Sequence, residues 1–175
     1  SGSTARYATL RIAEKLRSGL LRDVIAIPTS ERTAQLARRG GISLATLEDH
    51  AHIDLTIDGA DEVDPQLNVI KGLGGCLLRE KIVAYATARE IIVVDGSKLV
   101  QLLGTKSPVP VEVIRFGWRA TQAALARTGA VPALRQGGGA PYVTDEGNYI
   151  IDCTYKGIES PRELACALNT IPGMI

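Results

Sequence analysis

Acidic residues and glycines are grouped in three segments of the first half of the chain. These are residues 58–62 (DGADE), 71–75 (KGLGG) and 79–81 (REK). Asp58 follows an apolar stretch that predicts a buried strand, and a carboxylate there either caps a turn or meets a ligand. Gly59 and Ala60 leave room for a ligand to approach the backbone. Taken alone, DGAD is more often a turn than a catalytic pair, so its chemistry depends on the other two segments.

Two loops of small residues lead into predicted helices. One is the glycine loop 72–75, which comes directly after Lys71, and the other is SGST at residues 1–4. Backbone N–H groups at such a position, together with the positive end of the helix dipole, suit an anion or a developing oxyanion. Lys71 can add a fixed cation, and so can Lys98, which follows another strand. The structural alternatives are a glycine turn, a plain helix cap and solvated surface lysines.

Glu80 lies one turn into the helix that follows the glycine loop. On that helix it can face the same cleft as Asp58 and Asp61. The alternative is that residues 79–81 form an ordinary charged surface, which is the usual role of such a run.

The elements that position these residues alternate between helix and strand. Helices are predicted over residues 4–20, from Ser30 to about Arg39 and over 76–88, and strands over 24–27, 53–57 and 90–94. Ser3 or Thr4 is expected to cap the first helix and Gly19 to end it. This order predicts an α/β fold with a parallel sheet covered by helices on both faces. Ligands of such sheets bind beyond the carboxyl ends of the strands.

The pattern changes after about residue 107. Strands are predicted over 109–114, 142–144 and 149–154, and helices over 118–128 and 161–169. This order indicates a small α+β lobe with an antiparallel sheet. We therefore expect a catalytic core at 1–107 and a small lobe at 108–175, with Pro108 and Pro110 at the hinge. Residues 137–139 (GGG) are expected at a hairpin tip.

Composition excludes several classes of protein. The chain has 175 residues, of which 45% are hydrophobic and 22% charged, and its formal net charge is +1. These values are typical of a globular protein and predict no nucleic-acid partner. Three separate cysteines (Cys76, Cys153 and Cys166) fit a reducing compartment and lack zinc-site spacing. Apolar runs such as 91–94 are too short to cross a bilayer, so no membrane partner is expected.

Six segments in order resemble the ribose-5-phosphate isomerase A family over essentially the whole chain. They are GST (2–4), IPTS (27–30), DGADE, KGLGG, REK and TDEGNYIID (144–152). The resemblance implies a Rossmann-like α/β core with a small α+β (ferredoxin-like) lid, assembled as homodimers or homotetramers. It also implies further glycines before Gly2, and a strand and helix after residues 171–173. The implied compartment is the cytoplasm, or a plastid if a transit peptide has been removed.

The resemblance also implies roles for individual residues. Glu80 matches the general base, and Lys71 and Gly74 flank the substrate loop. Asp58 and Asp61 match the acidic pair of the sugar site. The implied substrate contacts are Gly2, Ser3, Thr4, Gly59, Ala60, Gly72, Leu73, Gly74 and Lys98, the first three of these forming the phosphate loop.

The implied activity is the interconversion of D-ribose 5-phosphate and D-ribulose 5-phosphate, in the non-oxidative branch of the pentose phosphate pathway. This aldose–ketose isomerisation passes through an enediol(ate). It needs one base that reaches both carbons, and donors where charge develops on oxygen. A carboxylate and an electrophilic partner suffice, so neither a metal nor another cofactor is expected.

Two alternative functions fit a related core. A non-enzymatic phosphosugar sensor would need a DNA-binding helical module, which this sequence lacks, and would have no use for a base at Glu80. An aminosugar-phosphate deaminase would be expected to use a histidine, but His50 and His52 lie outside the candidate loops. The isomerase is the favoured interpretation.

Overall fold

A computed structural model describes residues 2–175, which form two compact units. The first unit contains the residues up to Gly59 together with Leu78–Val94, and the second contains Ala60–Leu77 and Asp95–Ile175. Each unit is thus built from two separate stretches of chain. Residues 60–77 and 95–107, which the sequence assigns to the core, are grouped with the C-terminal part. The domain boundary at residue 107 stays a prediction.

Helices of the first unit begin and end largely where polar caps and glycines predict. They are α1 (Ser3–Arg17), α2 (Glu31–Arg39) and α3 (Leu77–Tyr85). The first residue of α3, Leu77, is grouped with the second unit. Ser30 caps α2 by accepting a hydrogen bond from the Thr33 N–H at 3.1 Å. Gly19 has a φ of 72° just after α1, a left-handed conformation that favours glycine. The predicted cap of α1 is wrong, because Gly2 is the N-cap and Ser3 already belongs to the helix.

The first two helices pack closely through small residues. Ala13, Ala37 and Ile42 form a buried cluster there. A Cβ atom added to Gly40 would lie 2.8 Å from the Ala13 Cβ, so only glycine fits at this position without a shift. Close approach of the two helices at Gly40 thus accompanies the packing of larger side chains such as Ile42 and Leu16.

The strands of this unit pair in parallel, as predicted for an α/β fold. β1 (Ile25–Ala26) pairs with β2 (Ser43–Leu44), and β3 (Ile53–Asp58) pairs with β6 (Thr87–Ile92). The helix predicted over 76–88 is too long. Thr87 already belongs to β6, where its hydroxyl donates to the Val83 carbonyl at 2.6 Å and lies 2.7 Å from the Thr56 hydroxyl.

The second unit contains the predicted antiparallel sheet. Its strand order is β7 (Val109–Val113), β11 (Tyr149–Thr154) and β8 (Val131–Leu134), with helices α4 (Trp118–Ala126) and α5 (Pro161–Asn169). Val113, Leu125 and Ile151 are fully buried in its core. Of the strand predicted at 142–144, only an isolated antiparallel bridge between Val143 and Tyr149 forms, and β8 is the third strand of the sheet. Pro132 obscured β8 in the sequence, but proline is tolerated on an edge strand.

Short elements complete the second unit. They are β4 (Glu62–Val63), β5 (Val69–Ile70), a 3₁₀ helix (Gly96–Lys98), β9 (Gln136–Gly137) and β10 (Ala140–Pro141). Gly138 and Gly139 join β9 to β10 with positive φ angles, which confirms the predicted hairpin tip. Across residues 2–175, no helix combines the length and the apolar character that a membrane crossing requires.

Candidate active site

Asp58 stands at the carboxyl end of β3, in the first unit. Its Oδ1 accepts a hydrogen bond from the Gly59 N–H at 2.7 Å, and its carbonyl accepts one from the Val93 N–H at 2.8 Å. Its neighbour across the parallel ladder is Ile92, the last residue of β6. A carboxylate is therefore held where two parallel strands end, the usual location of ligands in α/β proteins.

The N-terminus of α1 lies next to this strand end. A Cβ atom added to Gly59 would lie 3.4 Å from the Thr4 Oγ1 and 3.5 Å from the Thr4 Cβ. These are ordinary contact distances, and Gly59 does not have a left-handed φ. The first unit would therefore tolerate alanine here on steric grounds. Gly2, which has no side chain, is the N-cap of α1, so the first-turn N–H groups face this region without a capping hydroxyl. Ser1 and the side chain of Ser3 lie outside the described residues.

Glu80 is buried, in contrast to the charged residues beside it. Only 7% of Glu80 is exposed, whereas Lys81 is exposed and Arg79 pairs with Glu31 at 3.1 Å on the surface. Glu80 and Val83 are the buried residues of α3, spaced so that they share one face. The interpretation of residues 79–81 as one charged surface is therefore wrong for Glu80. A carboxylate is costly to bury unless polar groups surround it, which distinguishes Glu80 from an ordinary surface residue of α3.

In the second unit, Asp61 holds the glycine loop. The Leu73 N–H donates to the Asp61 Oδ2 at 2.9 Å, and the Asp61 N–H donates to the Ile70 carbonyl at 2.7 Å. The DGADE and KGLGG segments thus contact each other directly. A carboxylate has two oxygens, so this hydrogen bond leaves Asp61 with capacity for a further donor.

The glycine loop has the tight geometry that its composition predicts. Gly72 and Gly75 have φ angles of 103° and 80°, and the Gly75 N–H donates to the Gly72 carbonyl at 3.0 Å. A Cβ atom on Gly75 would overlap the hydroxyl of Tyr142. Gly74, by contrast, is exposed, and an added Cβ would meet no described atom within 4 Å. The loop is closed on one side and accessible at Gly74.

Sequence reasoning missed a group of side chains that contacts this loop. Arg135, directly after β8, donates from Nη1 to the carbonyls of Gly72 at 3.4 Å and Leu73 at 3.1 Å. Its other nitrogens donate to Asp152 at 2.9 and 2.5 Å. The Tyr142 ring lies 5.9 Å from the guanidinium carbon. Burial raises the pKa of the Tyr142 hydroxyl. Asp152 ends the TDEGNYIID segment, but no local motif marks Arg135 or Tyr142, and the fold brings the three together from separate strands and loops.

Glu62, the last residue of the DGADE segment, has a structural role. It is fully buried, and its carboxylate accepts hydrogen bonds from the backbone N–H groups of Gly104 at 2.6 Å, Lys106 at 2.7 Å and Ser107 at 2.5 Å. This carboxylate therefore fixes the loop that leads into β7.

The two predicted lysines lie at the ends of short elements of the second unit. Lys71 comes directly after β5 and is partly buried, and Lys98 ends the 3₁₀ helix. The Asp95 carboxylate caps this helix by accepting from the Ser97 N–H at 2.7 Å, and hydrogen bonding to Ser97 lowers the pKa of Asp95. Lys106 donates to the carbonyls of Ser97 at 3.0 Å and Leu99 at 3.1 Å, on either side of Lys98.

The histidines and Cys153 do not belong to the groups of residues described above. His50 and His52 are exposed, and burial raises the pKa of the Cys153 thiol to about 12. Within residues 2–175, no three His, Cys, Asp or Glu side chains are grouped in a way that could hold a metal ion.

The predicted residues thus fall into two groups. The first unit holds Gly2, Thr4, Asp58, Gly59 and Glu80, and the second holds Ala60, Asp61, Lys71, Gly72, Leu73, Gly74 and Lys98. The structure brings Thr4 to Gly59 within the first group and Asp61 to Leu73 within the second. That the two groups serve one site stays a prediction.

The fold and these residues define an α/β protein. In its first unit a carboxylate at the end of a parallel strand lies next to a helix N-terminus suited to an anion, and its second unit contains an antiparallel sheet. The family model described as ribose 5-phosphate isomerase A (phosphoriboisomerase A) matches residues 25–175. The chain belongs to this family.

Relatives and solved structures agree with this assignment. The chain is 53% identical to a ribose-5-phosphate isomerase A of Gloeobacter violaceus over 176 residues, covering 100% of this chain and 76% of the relative. It is 52% identical to one of Chloroflexus aurantiacus, covering 99% of this chain and 73% of the relative.

Two solved structures are similar in both fold and sequence. A D-ribose-5-phosphate isomerase in complex with phospho-erythronic acid superposes with a TM-score of 0.96 at 43% identity, covering 100% of this chain and 77% of that one. The ribose 5-phosphate isomerase from Plasmodium falciparum gives a TM-score of 0.95 at 41% identity, with the same coverage.

Proposed function

We propose that this protein interconverts D-ribose 5-phosphate and D-ribulose 5-phosphate, a step of the non-oxidative pentose phosphate pathway. Family membership supports the reaction. The observation that carries the proposal is the burial of Glu80 between an exposed Lys81 and a surface-paired Arg79. An isomerase of this kind needs a single base shielded from bulk water, and Glu80 is the buried acidic residue of its helix.

We propose Glu80 as the base that moves the proton between the two carbons. In the open-chain aldose, its carboxylate takes the proton from C2, and the electrons of that C–H bond form the C1–C2 double bond. The C1 carbonyl oxygen then carries the negative charge of an enediolate. Glu80 returns the proton to C1, the hydroxyl proton on O2 is lost as the C2 carbonyl forms, and O1 is protonated. One carboxylate can thus serve both carbons.

We propose that Asp58 and Asp61 bind the sugar hydroxyls and assist the proton exchange between O1 and O2. Lys71 and the glycine loop, including Gly72, Leu73 and the exposed Gly74, supply positive charge and donors near the developing oxyanion. Gly59 and Ala60 allow the sugar to approach the backbone. The geometry of Gly59 supports this role, because the packing of the first unit does not itself require a glycine at this position.

We propose that the phosphate binds at the start of α1. Gly2, Ser3 and Thr4 offer backbone donors and hydroxyls at a helix N-terminus, and Lys98 adds a positive charge. The proximity of Thr4 to Gly59 supports this assignment, because the start of α1 lies next to the proposed sugar-binding segment.

We also propose that the protein acts in the cytoplasm as a homodimer or homotetramer. Large apolar side chains such as Tyr85 and Phe116 are 96% and 91% exposed, which supports contact with further chains. Light scattering coupled to size exclusion measures the assembly, and a mass equal to one chain would refute it.

The test is a coupled assay of ribulose 5-phosphate formation, with and without EDTA. We expect activity that EDTA leaves unchanged. Glu80→Gln keeps the size of the side chain but removes its basicity, and loss of a general base costs about 10²–10⁴-fold. Because a sole proton shuttle has no substitute, the loss should lie near the upper end and affect kcat rather than KM.

Lys81→Gln is the matched control, since it removes a charge one residue away on the exposed face of the same helix. It should retain nearly full activity. If the two variants were equally active, Glu80 would be an ordinary helix residue, and Asp58 would be the next candidate for the base.

A further inference from the structure

The glycine loop is fixed by groups that neither the DGADE nor the KGLGG segment contains. Arg135 forms a two-pronged ion pair with Asp152, through Nε at 2.9 Å and Nη2 at 2.5 Å. The side chains are only 12% and 24% exposed, so the guanidinium is held in one orientation. Its remaining nitrogen, Nη1, is thereby directed at the loop, where it donates to the carbonyls of Gly72 and Leu73.

These hydrogen bonds set the direction of two peptide planes. In a trans peptide the C=O and N–H bonds point to opposite sides. The Gly72 carbonyl faces Arg135, while the N–H of the same peptide, on Leu73, donates to Asp61. The Leu73 carbonyl also faces Arg135, so the Gly74 N–H in that peptide points away from the guanidinium. Gly74 is exposed, and an added Cβ would touch none of the described residues.

Glycine makes such orientation necessary. The peptide between Leu73 and Gly74 can rotate with less steric cost than most peptides, because Gly74 can adopt both signs of φ. Rotation of the peptide between Leu73 and Gly74 would replace the N–H by a carbonyl oxygen, which repels an oxyanion. A donor is useful in catalysis only when it is already aimed at the position where charge develops.

We propose that Arg135 is a positioning residue of the isomerase, which orients the Gly74 N–H toward the enediolate oxygen by holding the Gly72 and Leu73 carbonyls. Asp152 fixes Arg135, and the Tyr142 ring covers it. Arg135 acts through the loop and does not itself contact the substrate. This inference rests on the proposed function, because the loop is assigned to the substrate there.

The experiment compares Arg135→Met, Arg135→Lys and Asp152→Asn with the wild type in the coupled isomerase assay. Removing one oxyanion donor costs about 10²–10³-fold in kcat, and loss of its orientation should approach the lower figure. Arg135→Met should therefore lower kcat by about 10²-fold while KM changes by less than about threefold. A purely structural role would instead reduce the folded fraction and leave both constants of the folded enzyme unchanged.

Arg135→Lys keeps the charge but cannot bind Asp152 and the loop at the same time. The Arg135→Lys protein should fold even if Arg135→Met does not. Its kcat should fall by about tenfold, which is less than the 10²-fold cost of a missing donor. Asp152→Asn should also lower kcat, because it releases the guanidinium. Arg127→Met removes an exposed arginine of the same unit and should behave like the wild type.

The possible outcomes separate this inference from the function on which it rests. If the wild type does not isomerise ribose 5-phosphate, the proposed function fails and the role of Arg135 fails with it. If the wild type is active and Arg135→Lys and Asp152→Asn keep the wild-type kcat, the inference alone is overturned. A selective fall in kcat for these two variants, with Arg127→Met unaffected, supports it.

Discussion

Replacing Glu62 by glutamine tests whether this buried carboxylate stabilises the fold. Its two oxygens are used unequally. Oε1 accepts from the N–H groups of Lys106 and Ser107, and Oε2 accepts from that of Gly104. Glutamine turns one of these oxygens into an NH₂ group, and in either orientation this donor faces at least one backbone N–H. The less costly orientation keeps the two hydrogen bonds on Oε1 and loses the one to Gly104.

The size of the effect follows from this count. A hydrogen bond to a charged group contributes about 1.5–3 kcal/mol, and a buried N–H left without an acceptor costs about 1–3 kcal/mol. The free energy of unfolding should therefore fall by about 2.5–6 kcal/mol. In a chain of this size, 1 kcal/mol corresponds to roughly 2–4 °C in melting temperature, so Tm should fall by about 5–24 °C.

Glu112→Gln is the matched control, since Glu112 is also buried in the second unit. Its Oε1 accepts hydrogen bonds from the Thr144 hydroxyl at 2.8 Å and the Asn148 amide at 3.0 Å. Glutamine can keep that oxygen in place and break neither hydrogen bond, so the loss should be smaller than for Glu62→Gln.

Urea denaturation followed by the fluorescence of Trp118, which packs against the core of this unit, measures both variants. Equal losses for the two variants, or a Glu62→Gln protein as stable as the wild type, would show that the hydrogen-bond count is not what stabilises this loop.

Three further results are expected. Thr4→Val, which keeps the side-chain shape, should weaken binding of ribose 5-phosphate far more than binding of free ribose; calorimetry that finds equal weakening would reduce residues 2–4 to a helix cap. Burial holds the pKa of the Cys153 thiol at about 12, against an ordinary value of 9.0, so the folded state favours the protonated thiol. The stability that this protonated thiol contributes is complete below pH 9 and is lost as pH rises toward 12, and the loss is at most about 4 kcal/mol. Cys153→Ala should therefore flatten the decline of the free energy of unfolding with pH, measured by urea titrations at successive pH values. Gly40→Ala should destabilise the protein by about 1–3 kcal/mol through its clash with Ala13, whereas Gly96→Ala, whose Cβ meets no described atom within 4 Å, should change stability little in the same measurement.

The sequence predicted best those features that depend on local chemistry. Ser30 caps α2, Gly19 follows the end of α1, and Tyr149–Thr154 and Pro161–Asn169 form the predicted strand and helix. The cap and the glycine act within a few residues of themselves, and the strand and the helix follow from the apolar pattern of their own segments. The parallel pairing of β3 and β6 also follows from the helix that connects them.

Features that depend on distant residues could not be predicted in this way. Pro132 argues locally against β8, but the sheet accepts it at an edge. Glu80 looks like a surface residue beside Arg79 and Lys81, and only the packing of α3 distinguishes it. Arg135 lies about sixty residues from the loop that it contacts, and no spacing rule connects them.

The interleaving of the two units along the chain has a consequence for synthesis. The segment Ala60–Leu77 belongs with residues that follow Asp95, so it leaves the ribosome before most of its partners exist. Glu62 has no N–H partners until residues 104–107 have been made, and Asp152, which fixes Arg135, is translated some 80 residues after the glycine loop. At about 5–20 residues per second, that delay lasts several seconds. During this interval the segment that becomes the glycine loop is an unsupported nascent stretch, which a chaperone or a protease can reach before the enzyme is assembled.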